Sequence, residues 1–558
     1  MHVWQTRAPH VLLEENLDEI AYAVWASRAA SEHVTQPDPY LLNSHQTLPM
    51  SFATAQPLPA WVIGHLARII HQPVTTLFFL GSFGWPCATG FLFIIVAWGI
   101  GVRERWTLTL GVIFSLVALP PTLWLMQWHY VTAILTGLSP GFRLSLALSR
   151  RYQPQFTAVI HYMVVALSLV ALRLGIAWQR WLLSLFAGIA FGLSFYCYYF
   201  SWTLLLGWFV LGGACVWLWQ RERLSAWLSA LCVGLLIAVP YFRLILGNFS
   251  AISSSAASTR TYNFPQDPAI YTTLLVCAFL ACALPFERER KVLLWAPLVL
   301  NLVAVFGAMQ NVVTGIYIQP YHYLHYFARP TTNLALIALC VFVSERWGRT
   351  LRGQQWMKYL SIMVVILSLL TAIFFQGAHY RDVAGLASET VAAQPAMQAL
   401  REHAEPGTLV YCPEETPREA IPLYTDNVSF FSRYMLLNET SGFHVAMQQR
   451  IAEMQWLSGI STEAFAAWLK TRPVDVYLQH LQRRIDALNE AQMEEVAGHL
   501  QVEFAKLEQA PLSGDLLALR YALLPVKIKL ETTRLPQSFN CQQLWADEYY
   551  TLFRLTQR

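Results

Sequence analysis

Long apolar runs dominate the pattern of hydrophobic and polar positions between residues 74 and 376. A helix that crosses a bilayer needs about 20 mainly apolar residues. Ten runs come close to this length, and flanking Trp, Tyr or Arg side chains can extend the shorter ones into the membrane interface. They cover residues 77–99, 106–126, 157–172, 182–200, 202–219, 227–246, 269–285, 292–309, 331–344 and 357–376. The pattern therefore predicts about ten membrane-spanning helices, and the pair that meets near Ser201 is either two helices or one kinked unit.

The segment ahead of this bundle, residues 1–73, has a mixed pattern. A helical pattern over residues 17–26 is followed by several prolines and then by an amphipathic stretch over residues 60–70. That stretch is too short and too polar to span a membrane, so we expect it to lie on the membrane surface.

After the bundle the composition changes again. Helix-like stretches at 383–404, 441–457, 461–472 and 481–509 alternate with short strand-like runs at 408–411 and 474–478. This alternation predicts a small α/β or α+β domain. The chain is thus expected to divide into an extracytoplasmic first loop (1–73), a transmembrane helical bundle (74–376) and a C-terminal domain (377–558).

The composition agrees with this division. Of the 558 residues, 55% are apolar and only 13% are charged, whereas a soluble protein carries about 25% charged residues. The sequence therefore predicts a polytopic α-helical membrane protein. Because no basic stripe with interleaved aromatic residues is present in the sequence, nucleic acid is not an expected partner.

Basic residues are distributed unevenly between the predicted spans. One alternate set of loops holds thirteen of them and the other set holds five. The larger set is Arg103, Arg105, Arg173, Arg180, Arg221, Arg223, Arg288, Arg290, Lys291, Arg346, Arg349, Arg352 and Lys358, and the smaller set is Arg143, Arg150, Arg151, Arg260 and Arg329. Because basic loops stay in the cytoplasm, we expect both ends of the chain to be extracytoplasmic.

The N-terminal segment carries no signal peptide or apolar run, although this topology places it outside. Either the first spanning helix translocates its own N-terminal tail, or one helix precedes the present start. We favour the second interpretation, which gives about eleven spans.

Two of the nine cysteines, Cys412 and Cys541, lie in the C-terminal domain, on the oxidising side by this topology. They form either a disulfide or two buried thiols. The spacing of Cys and His residues does not indicate a zinc site.

Carboxylates are scarce in the bundle, and none lies in a predicted span. Coupled transporters place ionisable groups inside the membrane, so this distribution disfavours that class. Outside, acids concentrate in residues 1–73, where the pair Asp18-Glu19 precedes the surface stretch. The pair is either the solvated first turn of a helix, where the dipole favours acids, or a general base at the membrane surface.

With these features the chain resembles the GT-C superfamily, multi-pass glycosyltransferases that use polyprenyl-phosphate-linked sugars. Members have a large first outer loop with an acidic residue or pair, surface helices in the same loop and often an outer soluble domain. The segments that carry the likeness are Leu17–Tyr22, Asp38–Tyr40, the stretch around Trp61–Ile70, Arg150–Phe156 and Tyr196–Trp202. The chain departs from the family in lacking the first helix and in having no acid in its second outer loop, residues 127–156.

The resemblance implies a function and a location. It implies transfer of a sugar from a polyprenyl-phosphate-linked donor to a glycan, lipid or protein acceptor, with inversion, on the outer face of the membrane. Since the similar members are uncharacterised bacterial proteins, it also implies the bacterial inner membrane. No cofactor is certain, and a divalent metal ion stays open because some members place a metal ligand in the second outer loop.

The resemblance also implies roles for residues. Asp18 would be the base, with Glu19 as helper or alternative. Cationic and hydrogen-bonding side chains would bind the donor phosphate and the rest of the substrates. The candidates are Asp38, Arg143, Arg150, Arg151, Asp267, His322, His325 and Arg329. The alternative for these Arg and His residues is contact with lipid headgroups at the membrane interface.

Two other functions stay open from the sequence. A transporter or flippase for a lipid-linked or amphiphilic substrate would be favoured by inverted repeats or broken helices, and neither is convincing here. A bundle that merely anchors an outer interaction domain would be favoured by a motif of its own in that domain, and we find none.

Overall fold

The computed structural model describes ten stretches of the chain, together with isolated positions between 355 and 370. The stretches are 18–31, 56–102, 155–247, 268–286, 291–310, 322–347, 388–432, 443–471, 490–509 and 514–558. The predicted span at 106–126 and most of the one at 357–376 lie outside them. The chain forms two compact units: unit 1 comprises residues 1–77, 244–259 and 384–558, and unit 2 comprises residues 78–243 and 260–383.

Two helices of unit 1 come from the N-terminal segment, α1 (Asp18–Ser31) and α2 (Pro57–Ile69). α1 is buried along most of its length. α2 begins with two prolines, which fit the first turn of a helix because the missing N–H has no intrahelical partner there. The amphipathic stretch predicted at 60–70 is therefore a helix.

α1 and α2 pack closely because small residues lie where they cross. A Cβ atom on Gly64 would lie 2.2 Å from the carbonyl oxygen of Ala26 and 2.9 Å from the backbone nitrogen of Ala30. The guanidinium of Arg68 donates a hydrogen bond to the carbonyl oxygen of Ala30 (3.4 Å), near the end of α1. Glycine is thus required at position 64 for the two backbones to approach.

Unit 2 is helical throughout the part that the structure describes. Its helices are α3 (Val74–Ile100, which begins in unit 1), α4 (Gln155–Ala171), α5 (Ala177–Ser194), α6 (Tyr199–Trp219), α7 (Leu224–Ile237), α8 (Val239–Gly247, which ends in unit 1), α9 (Pro268–Ala283), α10 (Lys291–Ala308) and α11 (Arg329–Trp347). A π-helix, Tyr323–Ala328, leads into α11. Each predicted span within the described residues coincides with one or two of these helices.

Four described segments are long and apolar enough to cross a membrane, namely Val74–Ile100, Tyr199–Trp219, Lys291–Ala308 and Tyr326–Val343. Large apolar side chains point away from the core of unit 2; Phe91 is 62% exposed and Leu236 is 70% exposed. Exposed apolar surface on this scale is covered by lipid in a membrane protein. The chain is therefore an integral membrane protein, and the number of spans stays a prediction.

The two apolar runs that meet near Ser201 are separate helices. α5 ends at Ser194, and a turn over residues 195–198 precedes α6. Tyr198 has an extended backbone (φ −161°, ψ 122°), which cannot continue a helix. The chain therefore reverses here, which brings the aromatic residues of this turn to one end of the bundle.

The C-terminal part of unit 1 combines helices with a five-stranded sheet. Its helices are α12 (Gln394–His403), α13 (Glu415–Tyr424), α14 (Phe443–Leu457), α15 (Thr462–Thr471), α16 (Glu490–Gln509) and the single turn α17 (Leu535–Ser538). Its strands are β1 (Leu409–Tyr411), β2 (Val428–Ser429), β3 (Leu519–Pro525), β4 (Phe539–Ala546) and β5 (Tyr550–Gln557). The predicted strand at 474–478 lies outside the described residues.

The sheet has the order β2-β1-β3-β5-β4. β1 pairs in parallel with β2 and β3, while β5 pairs antiparallel with β3 and β4. Leu409 faces Leu519 across the β1–β3 pair, and both are fully buried. The mixed sheet thus forms the core of the C-terminal part.

Candidate functional site

The predicted catalytic pair stands at the start of α1. Asp18 is the first residue of the helix, and its side chain lies outside the described part of the structure. Glu19 is fully buried (0% exposed). The solvated-turn explanation is therefore wrong for Glu19.

Packing within unit 1 explains the burial of Glu19. α1 packs against α2 and against α13 of the C-terminal part. Tyr22, one turn after Glu19, is 7% exposed, and its ring centroid lies 5.7 Å from that of Trp25. α1 therefore packs against segments that are remote from it in sequence.

In unit 2 the predicted phosphate-binding residues His322 and Arg329 flank a π-helix, Tyr323–Ala328. A π-helical turn is rare and occurs often at functional sites because it re-aims the side chains around it. His322 immediately precedes this turn and Arg329 immediately follows it, so one irregular segment positions both. His325 lies inside the turn, and its side chain is outside the described part.

The π-helical segment contacts the aromatic turn that leads into α6. A short hydrogen bond joins the hydroxyl of Tyr198 to Nδ1 of His322. The imidazole also stacks on Phe200, with ring centroids 4.5 Å apart. Next to them the hydroxyls of Tyr323 and Thr203 lie 3.1 Å apart. Two segments that are far apart in the sequence, 198–203 and 322–323, thus form one cluster.

Arg329 gives this cluster its charge. Its residue exposure is 7%, and no other charged side chain is buried among the described residues of unit 2. The charge and the fork geometry of a guanidinium suit a phosphate.

A hydrogen-bond network fixes the start of α11 to α10. The amide of Asn301 donates to the carbonyl oxygen of Thr331 (3.1 Å) and accepts from the hydroxyl of Thr332 (2.8 Å). The hydroxyl of Thr332 also lies 3.1 Å from that of Thr273 in α9. Two other helices, α9 and α10, therefore hold the first turn of α11, which carries Arg329.

The sequence analysis missed one polar pair in this cluster. Nδ1 of His161 in α4 lies 3.1 Å from the hydroxyl of Ser201, and both residues are buried. The His161 ring packs against Phe327 of the π-helix, with centroids 4.7 Å apart. A histidine within an otherwise apolar run was the signal available in the sequence.

The other predicted site residues lie outside the described part of the structure, namely Asp38, Arg143, Arg150, Arg151 and Asp267. Among the described residues, no three His, Cys, Asp or Glu side chains come together as a metal site.

Of the two alternatives for the C-terminal cysteines, the structure has the free thiols: Cys412 is buried and Cys541 is half-buried.

Two solved structures align with most of this chain. The oligosaccharyltransferase of Archaeoglobus fulgidus, crystallised with zinc and sulfate, is 10% identical, with a TM-score of 0.42 over 96% of this chain and 69% of its own. ArnT of Cupriavidus metallidurans, solved in the apo state, is 14% identical, with a TM-score of 0.45 over 99% of this chain and 97% of its own. No family model matches the sequence, and no curated protein matches it significantly. We therefore base the function on the residues of this chain.

Proposed function

We propose that this protein transfers a sugar from a polyprenyl-phosphate-linked donor to an acceptor hydroxyl on the outer face of the membrane. The acceptor oxygen attacks the anomeric carbon while the bond from that carbon to the phosphate oxygen breaks, which inverts the configuration. Asp18, with Glu19 as helper or alternative, takes the acceptor's proton. Polyprenyl phosphate leaves with the bonding electron pair. This scheme does not depend on whether a divalent metal ion also takes part.

The buried Arg329, which follows the same π-helical turn that His322 precedes, is the observation that supports the proposal most strongly. The leaving group is a phosphate whose negative charge grows as the bond breaks, and a fixed cation stabilises that charge without reorganising. The fork of a guanidinium can bind two phosphate oxygens at once. His322, held by Tyr198 and Phe200, adds a ring N–H donor at the same end of unit 2.

The test is the affinity of the purified full-length chain for polyprenyl phosphate. Arg329→Gln should weaken binding about 10- to 100-fold, because a charge-assisted hydrogen bond contributes about 1.5–3 kcal/mol. The affinity of Arg329→Lys should lie between those of wild type and Arg329→Gln, because the charge stays and the fork of the guanidinium is lost. Arg243 is an exposed arginine of α8, and Arg243→Gln serves as the matched control with unchanged affinity. Equal affinities of Arg329→Gln and wild type would exclude Arg329 as the phosphate ligand.

A flippase for the same lipid would also bind its phosphate, and the products separate the two functions. A transferase releases polyprenyl phosphate and a glycosylated acceptor, whereas a flippase moves the donor and leaves the bond between sugar and phosphate intact. Mass spectrometry of the lipid fraction after incubation with the donor distinguishes these outcomes.

A further inference from the structure

A second polar site lies in unit 2, in a small cavity between α4, α5, α6 and α7. Its walls include Ser168, Arg180, Ser184, Phe209, Arg223 and Trp227. Near the start of α6, Thr203 contacts Tyr323 of the π-helical segment, whereas Arg223 follows the end of α6. Arg223 thus lies at the opposite end of α6 from the contact between Thr203 and Tyr323.

The cavity carries an excess of positive charge. Among the residues that the structure describes, no carboxylate pairs with the guanidinium of Arg180. Nε of Arg223 lies 3.4 Å from the carboxylate of Glu222, which is 69% exposed. Nε of Arg223 is buried, and no described group accepts a hydrogen bond from it. Two guanidinium groups therefore face one solvated carboxylate, and the site favours an anion.

Two other polar groups of the wall are already used. The indole of Trp208 donates to the hydroxyl of Ser168 (3.1 Å), and that hydroxyl donates to the carbonyl oxygen of Val165 (2.9 Å). The indole of Trp227 donates to the carbonyl oxygen of Phe209 (2.9 Å). The two arginines and the hydroxyl of Ser184 are therefore the donors considered for a ligand. The cavity has room for about one water-sized group, which suits a single phosphate oxygen.

The outer surface of α5 beside the cavity is apolar. Trp178 is 64% exposed, Trp181 is 45% exposed and Leu185 is 42% exposed. Their spacing of three and four residues places them along one stripe of the helix. A ligand that satisfies both features has a negative head and an apolar tail.

We propose that Arg180 and Arg223 bind the phosphate of an anionic phospholipid, whose acyl chains lie along the exposed stripe of α5. Basic pockets between membrane helices bind such headgroups. The leaflet is the one on the side of Arg173, Arg180, Arg221 and Arg223, which is cytoplasmic by the predicted topology. This site is independent of the proposed sugar transfer, because none of its residues belongs to the cluster around Arg329.

The experiment measures the binding of phosphatidylglycerol to the delipidated full-length chain by native mass spectrometry. Arg180→Gln and Arg223→Gln are compared separately with Arg221→Gln, an exposed arginine at the same end that does not line the cavity. We expect each cavity variant to bind phosphatidylglycerol about fivefold more weakly, and the control to bind like wild type. If one cavity variant does not fold, the other variant alone tests the proposal.

Three results would overturn the proposal. Equal losses in Arg221→Gln and the cavity variants would mean general attraction to a basic surface. Equal binding of phosphatidylcholine would mean that the headgroup charge is not recognised. Full competition by millimolar inorganic phosphate would mean a site for a free anion, without a contribution from the acyl chains.

Discussion

The imidazole of His322 stacks on the ring of Phe200, with the ring planes 18° apart. Tyr198 holds the same imidazole by a hydrogen bond to Nδ1. The ring is therefore fixed at one face and at one edge by the turn that joins α5 to α6. A preorganised ring loses little entropy when it meets a substrate.

Tyr198→Phe should weaken the binding of the lipid-linked donor without changing the fold. The variant keeps the aromatic packing and removes one hydrogen bond to His322, which contributes about 0.5–1.5 kcal/mol. KM for the donor should therefore rise about two- to tenfold. Steady-state kinetics with varied donor, together with a melting curve, checks this. A lower melting temperature with an unchanged KM would mean that Tyr198 has only a packing role.

Gly64→Ala should destabilise unit 1. The added Cβ would overlap the backbone of Ala26, so α1 and α2 would have to move apart, at a cost of about 1–3 kcal/mol. Gly498 in α16 is the matched control because nothing lies within 4 Å of its added Cβ. Gly498→Ala should leave the thermal midpoint unchanged or raise it. Equal midpoints for the two variants would contradict the close crossing of α1 and α2.

Asn301→Leu should loosen the start of α11. The side chain keeps a similar volume but loses its bonds to Thr331 and Thr332. Hydrogen bonds between membrane helices contribute about 0.6 kcal/mol on average and up to about 1.7, so the loss of two should lower stability by about 1–2 kcal/mol. Because this network holds the turn that carries Arg329, donor affinity should fall as well. A stable variant with normal affinity would show that the network does not position Arg329.

Cys412 should make the stability of unit 1 depend on pH in the alkaline range. Burial raises the pKa of this thiol to about 12, from an ordinary value near 9. A raised pKa stabilises the fold below the unfolded value, and the stabilisation is lost as the pH rises from about 9 towards 12. Cys412→Ala should therefore show a shallower fall of the thermal midpoint between pH 9 and pH 11 than wild type. Identical slopes would contradict the burial of this thiol.

Much of the architecture of unit 2 could be predicted because apolar runs of sufficient length report spanning helices directly. The contact between Tyr198 and His322 could not be predicted, because it joins motifs more than 120 residues apart. The burial of Glu19 was missed for a similar reason: α13, which packs on α1, lies about 400 residues further along the chain.

The C-terminal strands show a different limit of prediction from the sequence. β3 is buried at six of its seven positions, with only Arg520 exposed. A short run of this kind lacks the alternation that distinguishes a strand from a buried helix. β5 also went unrecognised, and β4 alternates too weakly to be found. Long-range pairing within the sheet, rather than local pattern, sets these three strands.

The most direct test of the account is the rate at which polyprenyl phosphate is released from a polyprenyl-phosphate-linked sugar. The full-length chain is assayed in membrane vesicles that contain the natural acceptors. Asp18→Asn should lower the rate about 10²- to 10⁴-fold, because the amide cannot take the acceptor's proton. Its melting temperature should change little, since a dipole interaction at a helix start is worth about 0.3–1 kcal/mol. Glu19→Gln should lower the rate by a smaller factor, as expected for a residue that assists the base. A folded Asp18→Asn variant that works at the full rate would exclude Asp18 as the base, and a wild-type chain that releases no polyprenyl phosphate would contradict sugar transfer itself.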